Sequence, residues 1–506
     1  MAQYPVHSPK ELQDACNVAR PGDVILVYGG RYEERSLLQD RRGLPDLPIV
    51  FKAADDCWIS GEKSPDPNWG EKPPAEDAPS KPGLTDFAFL QIDRCEYIVI
   101  DGLKIEKCWP SILFVRNTRH LQVRNGTWRN GTYAVFAKEK NTSHILIENN
   151  EWQQDDSPEH DLWLKFDWAR AHGDEGSDGM LRYFNGGFFS SKGIAGKVVI
   201  RRNRIMDAYN GVRMKAESAS PRQSPPMNAD VHIYDNKFIR IRDNPVEPEV
   251  FAFNWHVRHN SLLDCHAWFS FDGVTGGYWY FYGNTAHFQS RQGPHGSHDG
   301  HTMGRVLKLS YEMRPRDAET EGVPIFPWFV FNNSWHLRCP LIGGANPTVP
   351  ANGEGPDFTA RLDFFNNAFD WCNPLADGPW LCEWTETIRN FDLVRTFDSQ
   401  FDYDICDLPN FFSILAEAGR GEAHGLRATR PIFNGSASGD FTLAGNSEAL
   451  SSGWVRGVER PTAGSAGLRP QADGSLNRGA VQDYGLIEVP DLEAEASALT
   501  AEIVSA

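Results

Sequence analysis

The hydrophobic and polar positions of the chain follow a repeated pattern. Each copy has three alternating positions, two polar or small residues, an Asn or Gly, and an apolar residue beyond it. The clearest copies begin at Ile145 ("ILIENNEW"), Val198, Val231, Trp255, Trp279, Trp328 and Leu362, and degenerate copies begin at Ile98 and Leu121. Where no insertion intervenes, successive copies start 23 or 24 residues apart. A period in the low twenties, with strand alternation and no helical spacing, is typical of a parallel β-helix.

The predicted fold class is therefore all-β: a single-stranded right-handed parallel β-helix, or solenoid, with an N-terminal capping helix and long inserted loops. The recurring Asn lies where the chain turns between strands, because Asn tolerates a left-handed backbone. Identical amides on neighbouring turns of the coil can form a hydrogen-bonded ladder, so a structural role is expected for these residues. They are Asn150, Asn203, Asn236, Asn260, Asn284, Asn333 and Asn367.

The pattern also divides the chain. Residues 1–405 are predicted to form the β-helix with its N-terminal cap, a short amphipathic helix with Ser8 as N-cap. Residues 406–506 are predicted to hold a C-terminal helix in "LPNFFSILAEAG", closing strands and a loosely held tail. Between copies of the repeat lie four insertions, where binding and catalytic groups are usually found. They span 155–196, 217–229, 285–327 and 340–360.

A second strand is expected about fourteen residues after the start of each copy. Its inward members would be Val135, Val212, Val246, Phe269 and Leu307. Alternation then puts charged residues on the outer face of this strand in neighbouring turns of the coil. They are Lys138, Arg213, Lys215, Glu247, Glu249, Asp272 and Lys308.

Stacked carboxylates repel one another, so Glu247, Glu249 and Asp272 need a cation, a shared proton or a cationic substrate group. The other interpretation is a solvated face of the coil. In the functional interpretation these three residues are catalytic, and Arg213, Lys215, Lys138 and Lys308 bind substrate. Surface aromatic rings would offer flat apolar faces to the substrate, with Trp163, Trp168 and Trp268 as candidates. Should the carboxylates prove structural, the next candidates are His172, Asp174, Glu175 and the His295 to His301 loop.

Composition narrows the partners. A formal net charge of −18 and a pI near 5.3 argue against nucleic acid and against an anionic membrane surface. No signal peptide is visible, which predicts a cytoplasmic protein if Met1 is native, and otherwise a secreted or periplasmic protein with its signal peptide removed. No cofactor is required by any motif, and the oligomeric state is not indicated.

The segments "ELQDACNVARPGDVILVYGGRY", "LPIVFKAADDCWISG" and "YIVIDGLKI" resemble the opening of the β-helix polysaccharide lyases. The resemblance is greatest to the alginate and chondroitin lyases of polysaccharide lyase family 6. That family binds calcium through a Glu-x-Glu pair, which implies a calcium-type ion at Glu247 and Glu249. Its Lys, five residues after the second Glu, corresponds to Asn254 here, and the next turn of the coil offers no Arg.

Three functions remain open from the sequence. A glycoside hydrolase would use paired carboxylates on neighbouring strands. A polysaccharide lyase would cleave a uronic-acid polymer by β-elimination, with a calcium-type cation and with Lys215 or Lys138 as base. A non-catalytic carbohydrate-binding β-helix is the third. The acidic balance and the missing Lys/Arg pair favour a hydrolase of a poly- or oligosaccharide.

Overall fold

The computed structural model describes residues 1–64, 87–166, 171–172, 182–217, 228–271, 274–290, 304–309, 327–339, 341–344, 362–371, 400–408, 411–417, 421–454, 457–459 and 465–467. Within these ranges the chain winds into a parallel β-helix, which confirms the predicted all-β fold class.

The strands are short and follow one another around the coil. The first part of the chain contains β1 (Gln3–Val6), β2 (Val24–Val27), β3 (Gly30–Arg31), β4 (Ser36–Gln39), β5 (Ile49–Ala53), β6 (Ile59–Ser60), β7 (Ala88–Asp93), β8 (Glu96–Asp101), β9 (Lys104–Glu106), β10 (Ser111–Arg116), β11 (Arg119–Arg124), β12 (Thr127–Arg129) and β13 (Tyr133–Lys138). The middle part contains β14 (Ser143–Glu148), β15 (Glu151–Gln153), β16 (Gly187–Lys192), β17 (Gly196–Arg201), β18 (Arg204–Ala208), β19 (Asn210–Lys215), β20 (Ala229–Tyr234), β21 (Lys237–Ile241), β22 (Val246–Arg258), β23 (Ser261–Leu263), β24 (Ala267–Phe271), β25 (Val274–Tyr282) and β26 (Thr285–His287). The last part contains β27 (Arg305–Leu309), β28 (Trp328–Phe331), β29 (Ser334–Leu337), β30 (Ile342–Gly344), β31 (Leu362–Phe365), β32 (Ala368–Trp371), β33 (Gln400–Asp402), β34 (Ile405–Cys406), β35 (Leu426–Arg427), β36 (Phe433–Gly435), β37 (Asp440–Leu443), β38 (Gly457–Glu459) and β39 (Ser465–Gly467).

Strands β1 to β35 form three long parallel sheets, each adding one strand per turn of the coil, or rung, and β36 to β39 form two antiparallel hairpins. The first sheet carries the repeated pattern, from β8, β11 and β14 to β28 and β31. The second sheet, from β3 to β35, consists of the short strands that follow the Asn turns. The third sheet runs from β4 to β30, and β22 is long enough to pass from the third sheet into the first.

The predicted repeat and the pairing register agree. Ile145 pairs with Val198, Val198 with Val231, and Val231 with Trp255. The same series continues through Trp279, Trp328 and Leu362. These side chains are buried in one continuous core. Side chains of a β-strand alternate between its two faces, so every second residue points into the coil.

The Asn residues form the predicted ladder. Asn260 Oδ1 accepts a hydrogen bond from the backbone N of Asn236 and another from Asn236 Nδ2, both at 3.0 Å. Asn260 Nδ2 in turn donates to Ile233 O and to Asn284 Oδ1, at 2.9 and 3.0 Å. The arrangement repeats from Asn150 to Asn367 and ends on Asp404, whose Oδ1 accepts from Asn367. The prediction of a structural role is confirmed by these contacts.

The N-terminal cap is also as predicted. Helix α1 (Pro9–Val18) begins after Ser8, whose hydroxyl accepts a hydrogen bond from the backbone N of Glu11 at 3.3 Å. Leu12, Ala15 and Cys16 are buried on its inner side and belong to the core of the coil. The helix therefore covers apolar interior that the first rung would otherwise expose to water.

The insertions are shorter than the sequence pattern predicted. Three of them contain a strand that completes a rung: β16 lies in 155–196, β26 and β27 lie in 285–327, and β30 lies in 340–360. The reason is that β16 reads "GFFSSK", in which Ser190 is outward and Ser191 inward, so that the strand carries little of the polar and apolar alternation seen elsewhere.

Near the C-terminus the predicted helix is present as α2 (Phe411–Glu417). Beyond it, β35 still pairs in parallel with β34, and β36 and β37 form an antiparallel hairpin. The division at residue 405 and the loosely held tail stay predictions. Within the described parts of the chain, no helix is both long and apolar enough to cross a membrane.

Candidate active site on the third sheet

The outer face of the third sheet brings Arg213, Lys215, Glu247 and Glu249 together at neighbouring register positions. Val212 pairs with Val246, which fixes Arg213 beside Glu247 and Lys215 beside Glu249 on β19 and β22. The inward positions are buried in the core, so Pro245 and Pro248 have not shifted the register. Ser270 pairs with Lys308 on the next two rungs.

One rung of this face was missed in the sequence. Lys138 pairs with Lys192 of β16, and Lys192 pairs with Lys215. The column, meaning the residues at one register position on successive rungs, therefore reads Lys138, Lys192, Lys215 and Glu249. Three cations in a row lead to the carboxylates, rather than the two that the predicted alignment placed there.

Arg213 explains how two carboxylates can lie side by side on β22. Its Nε lies 2.5 Å from Glu249 Oε1 and 3.4 Å from Glu247 Oε2. Lys215 Nζ binds the other oxygen of Glu249 at 2.9 Å. The repulsion between Glu247 and Glu249 is thus offset by a guanidinium on the preceding rung.

The surroundings of Glu247 and Glu249 drive the pKa values of their carboxyl groups apart. Burial raises the pKa of Glu247 to about 7, and the charges of Glu249 and Asp243 raise it while Arg213 lowers it. Burial alone would also raise the pKa of Glu249, but Arg213 and Lys215 bring it down to about 2. Glu247 is only 7% exposed, so the interpretation as a solvated face does not describe it.

A third carboxylate belongs to the same cluster. Asp243 lies just before β22 and is 5% exposed. Burial alone would raise its pKa, but the charges of Lys308, His172, His266 and Arg242 hold it below its ordinary value. A buried carboxyl group with a raised pKa and two buried carboxyl groups with lowered pKa values therefore lie within a few residues of chain, which is typical of acid–base sites.

Residues of the first insertion contact the charged cluster and the turns beside it. Leu162, Phe166 and Phe184 form an apolar cluster with Trp109 and Tyr209 of the coil. Polar contacts join the same segment to the charged cluster. Asn185 Oδ1 accepts from Arg213 at 2.8 Å, His172 Nδ1 lies 3.1 Å from the Tyr209 hydroxyl, and Phe166 O accepts from Arg242 at 3.2 Å. Most of the second insertion lies outside the described residues, so a cleft between the two stays a prediction.

The residues of the Glu-x-Glu pair do not fit a calcium site. The Arg213 side chain supplies the positive charge between Glu247 and Glu249 that a calcium ion would supply. In the described ranges, no three His, Cys, Asp or Glu side chains are grouped so as to hold a metal ion.

Two of the three tryptophans that were predicted to bind substrate at the surface are buried. Trp163 and Trp268 are 2% and 1% exposed and belong to the core, where Trp268 Nε1 donates to Cys265 O at 3.0 Å. Their predicted place on the surface is wrong, because each ring packs inside the coil and presents no face to a sugar. Trp168, Asp272, Asp174, Glu175 and the His295 to His301 loop lie outside the described residues.

Several residues of the cluster were not assigned a role from the sequence. The backbone N of Asp243 donates to Tyr209 O, and Asp243 O accepts from the backbone N of Ala267. These bonds place Tyr209, Asp243 and His266 at one position on three successive rungs. The sequence could have shown this alignment, since the offset that aligns Arg213 with Glu247 also aligns Tyr209 with Asp243. It was missed because these residues lie in turns, where polar and apolar positions do not alternate.

No known protein family model matches the chain, and no curated protein matches it. Among solved structures it is similar to a mannuronic acid-specific polysaccharide family 6 lyase from the human gut microbiota, with 13% identity over 84% of this chain and 91% of the other, at a TM-score of 0.46. It is also similar to the GH136 lacto-N-biosidase of Eubacterium ramulus, with 11% identity over 74% and 64%, at a TM-score of 0.40. A third is the tailspike protein of Escherichia coli bacteriophage HK620, with 8% identity over 73% and 55%, at a TM-score of 0.39. The family resembled by the N-terminal segments is thus present among the similar structures.

Proposed function

We propose that the protein is a carbohydrate-active enzyme that cleaves glycosidic bonds of a poly- or oligosaccharide by hydrolysis, with Glu247 as the proton donor. The observation that supports this most strongly is the separation of acidity within one buried cluster. Glu247 has a pKa of about 7, whereas that of Glu249 is about 2. Carboxyl groups whose environments drive their pKa values apart can divide the roles of acid and base.

A neutral carboxylic acid is the group that glycosidic cleavage requires. The oxygen that leaves the anomeric carbon must gain a proton, and an acid that stays protonated near neutral pH can deliver it. Glu247 Oε2 is buried and makes no hydrogen bond within the described residues, so its proton is not committed to a neighbour there. Arg213, 3.4 Å away, would stabilise the carboxylate that remains after transfer.

The sheet itself suits an extended polymer. Strands of neighbouring rungs lie about 4.8 Å apart, so side chains of one column form a regular row across the coil. Lys138, Lys192 and Lys215 occupy such a row beside the carboxylates. The N-terminal resemblance to β-helix polysaccharide lyases favours a carbohydrate as the molecule that such a row binds.

Elimination is the second candidate, and the cationic column favours it. A lyase acting on a uronic-acid polymer needs positive charge at the substrate carboxylate and a base for the proton beside it. Lys138, Lys192 and Lys215 would supply the charge. A base for elimination is harder to identify. Lys215 is paired with Glu249 at 2.9 Å and would have to lose its proton beside that carboxylate before it could act as a base.

One assay separates the candidates. The full chain is incubated with neutral and uronate-containing polysaccharides, while new reducing ends and the ultraviolet absorbance of an unsaturated uronate are followed together. Hydrolysis gives reducing ends without absorbance, and elimination gives both. In the hydrolase, Glu247→Gln should lower kcat/KM by about 10³-fold.

The matched control is Glu151→Gln, since Glu151 is exposed and lies on β15 in the second sheet. It should keep wild-type activity. A rise in absorbance would show that the reaction is elimination and not hydrolysis. Equal activity of Glu247→Gln and wild type would show that Glu247 is not the proton donor.

A further inference from the structure

The hydrolase proposed above needs an ionised carboxylate to work with Glu247, and Glu249 is poorly suited to that task. Both of its oxygens are already bound, Oε1 by Arg213 at 2.5 Å and Oε2 by Lys215 at 2.9 Å. Charge-assisted bonds of this length occupy the lone pairs that a base or nucleophile would use. Glu249 holds Arg213 and Lys215 in place instead.

Asp243 has the opposite arrangement. Its backbone is fixed between rungs by bonds to Tyr209 O at 2.8 Å and from the Ala267 N at 2.9 Å. Its side chain is almost fully buried, yet within the described residues no donor forms a hydrogen bond to its carboxylate. Lys308 and His172 favour its ionised form through their charge. The carboxylate is thus positioned while its lone pairs stay available.

Buried polar atoms beside Asp243 point to a bound water or sugar hydroxyl. Asn244 follows Asp243 directly and is fully buried, and neither its Oδ1 nor its Nδ2 makes a hydrogen bond within the described residues. The same holds for Asn210 Nδ2 on the preceding rung and Ser270 Oγ on the following one. Buried polar groups are nearly always bonded to protein or ordered water, so four such atoms on three rungs mark a polar binding position.

We propose that Asp243, rather than Glu249, is the general base of the reaction, and that it takes a proton from a water held by the Asn210, Asn244 and Ser270 side chains. The water oxygen forms a bond to the anomeric carbon as the bond from that carbon to the leaving oxygen breaks. Glu247 gives its proton to the leaving oxygen, and Asp243 takes one from the water. One water is consumed, and the proton on Asp243 returns to Glu247 through solvent before the next turnover.

This inference rests on the proposed hydrolysis, and the test is arranged to separate the two. On any substrate that the wild type hydrolyses, Asp243→Asn should lower kcat by about 10³-fold, as loss of a general base does. Glu249→Gln should cost at least ten times less than that. Water attack opposite the leaving group gives a product of inverted anomeric configuration, which proton NMR of the first product reports.

Rescue distinguishes a base from a merely structural residue. Sodium azide needs no base, so it should restore turnover of Asp243→Asn and give a glycosyl azide, while leaving Glu247→Gln inactive on substrates with poor leaving groups. Asp235→Asn is the control, because Asp235 is exposed, lies in the turn before β21 and shares the charge change. It should match the wild type.

Each outcome decides one point. A wild type that cleaves no saccharide overturns the proposed function and the role of Asp243 with it. An active wild type with an inactive Glu247→Gln and an active Asp243→Asn overturns only the role of Asp243. Retained configuration in the product would contradict water activation and leave direct attack by a carboxylate in its place.

Discussion

Two groups of buried polar side chains extend across several rungs of this coil. They differ in composition and in how their polar groups are bonded. The Asn ladder repeats one residue type, and each amide from Asn150 to Asn333 is bonded to the next amide in the same way. The charged cluster on the third sheet combines Arg213, Glu247, Glu249 and Asp243, and no two neighbours have the same environment.

The difference shows what each group contributes. In the ladder every donor and acceptor is satisfied, so burial of the amides stabilises the turn without altering their chemistry. In the cluster the pKa of one carboxyl group is raised and the pKa values of two others are lowered, and several buried polar atoms have no hydrogen-bond partner among the described residues. Such local inconsistency is common at functional sites, where stability is exchanged for reactivity.

The largest expected effect comes from breaking the ladder at its centre. Asn260→Ala removes the acceptor of Asn236 N and Asn236 Nδ2 and the donor to Ile233 O. Leaving these buried groups unbonded should lower the free energy of unfolding by about 3–5 kcal/mol. Urea unfolding at pH 7 measures it. Asn141→Ala, at an exposed position, should change it by less than about 0.5 kcal/mol, and equal effects of the two would contradict the ladder.

Removing the shared cation of the cluster should have the next largest effect. Arg213→Met keeps an unbranched apolar stem but removes the guanidinium, which leaves Glu249 with Lys215 alone and Glu247 without its nearest positive charge. Breaking a buried ion pair on one side should cost about 3 kcal/mol of unfolding free energy. The exposed Arg204→Met is the control. A cost no larger than that of the control would show that Arg213 is not needed to hold the carboxylates.

The pH dependence of stability should separate the cluster from the ladder. Glu247 has a folded pKa of about 7 against an ordinary value of 4.5. Below pH 4.5 Glu247 is protonated in both states, and between 4.5 and 7 only the unfolded chain releases the proton, so the stability that Glu247 contributes falls as pH rises through that window. The loss is on the order of 3 kcal/mol at most.

Glu247→Gln stays neutral throughout, so its stability relative to wild type should grow across the same window and level off above it. Denaturant unfolding at several pH values inside and outside the window measures this difference. A constant difference at all pH values would contradict the raised pKa of Glu247.

The smallest expected effect lies where the ladder ends on a carboxyl group. Burial, together with the charge of Glu422, raises the pKa of Asp404 well above its ordinary value. Its contribution is therefore lost as pH rises above the unfolded value of 3.8. Asp404→Asn keeps the Oδ1 that accepts from Asn367 and should add about 1 kcal/mol at pH 7. A scanning calorimeter would show this as a higher Tm, against no change for the exposed Asp46→Asn.

Prediction from the sequence succeeded where the physical cause is periodic. The spacing of Ile145, Val198, Val231 and Trp255 revealed the rungs, because every turn of the coil must place the same apolar positions inside. The same regularity aligned Arg213 with Glu247 and Lys215 with Glu249 before any contact was known. It failed at β16, because the inward Ser191 is as polar as the outward Ser190 and hides the alternation, and so Lys192 was missed.

What the sequence by itself determined is the coil, its Asn ladder, its N-terminal cap and the face on which the charges meet, since each follows from residues at a constant spacing. What only the tertiary structure decided is which of those charges interact and which rings are buried. Trp163 and Trp268 went into the core, and Asp243 was brought beside Tyr209 and His266 from a turn that follows no period. The raised pKa of Glu247 likewise could not be predicted from its neighbours along the chain. It depends on burial and on charges from other rungs, which exist only when the coil is closed.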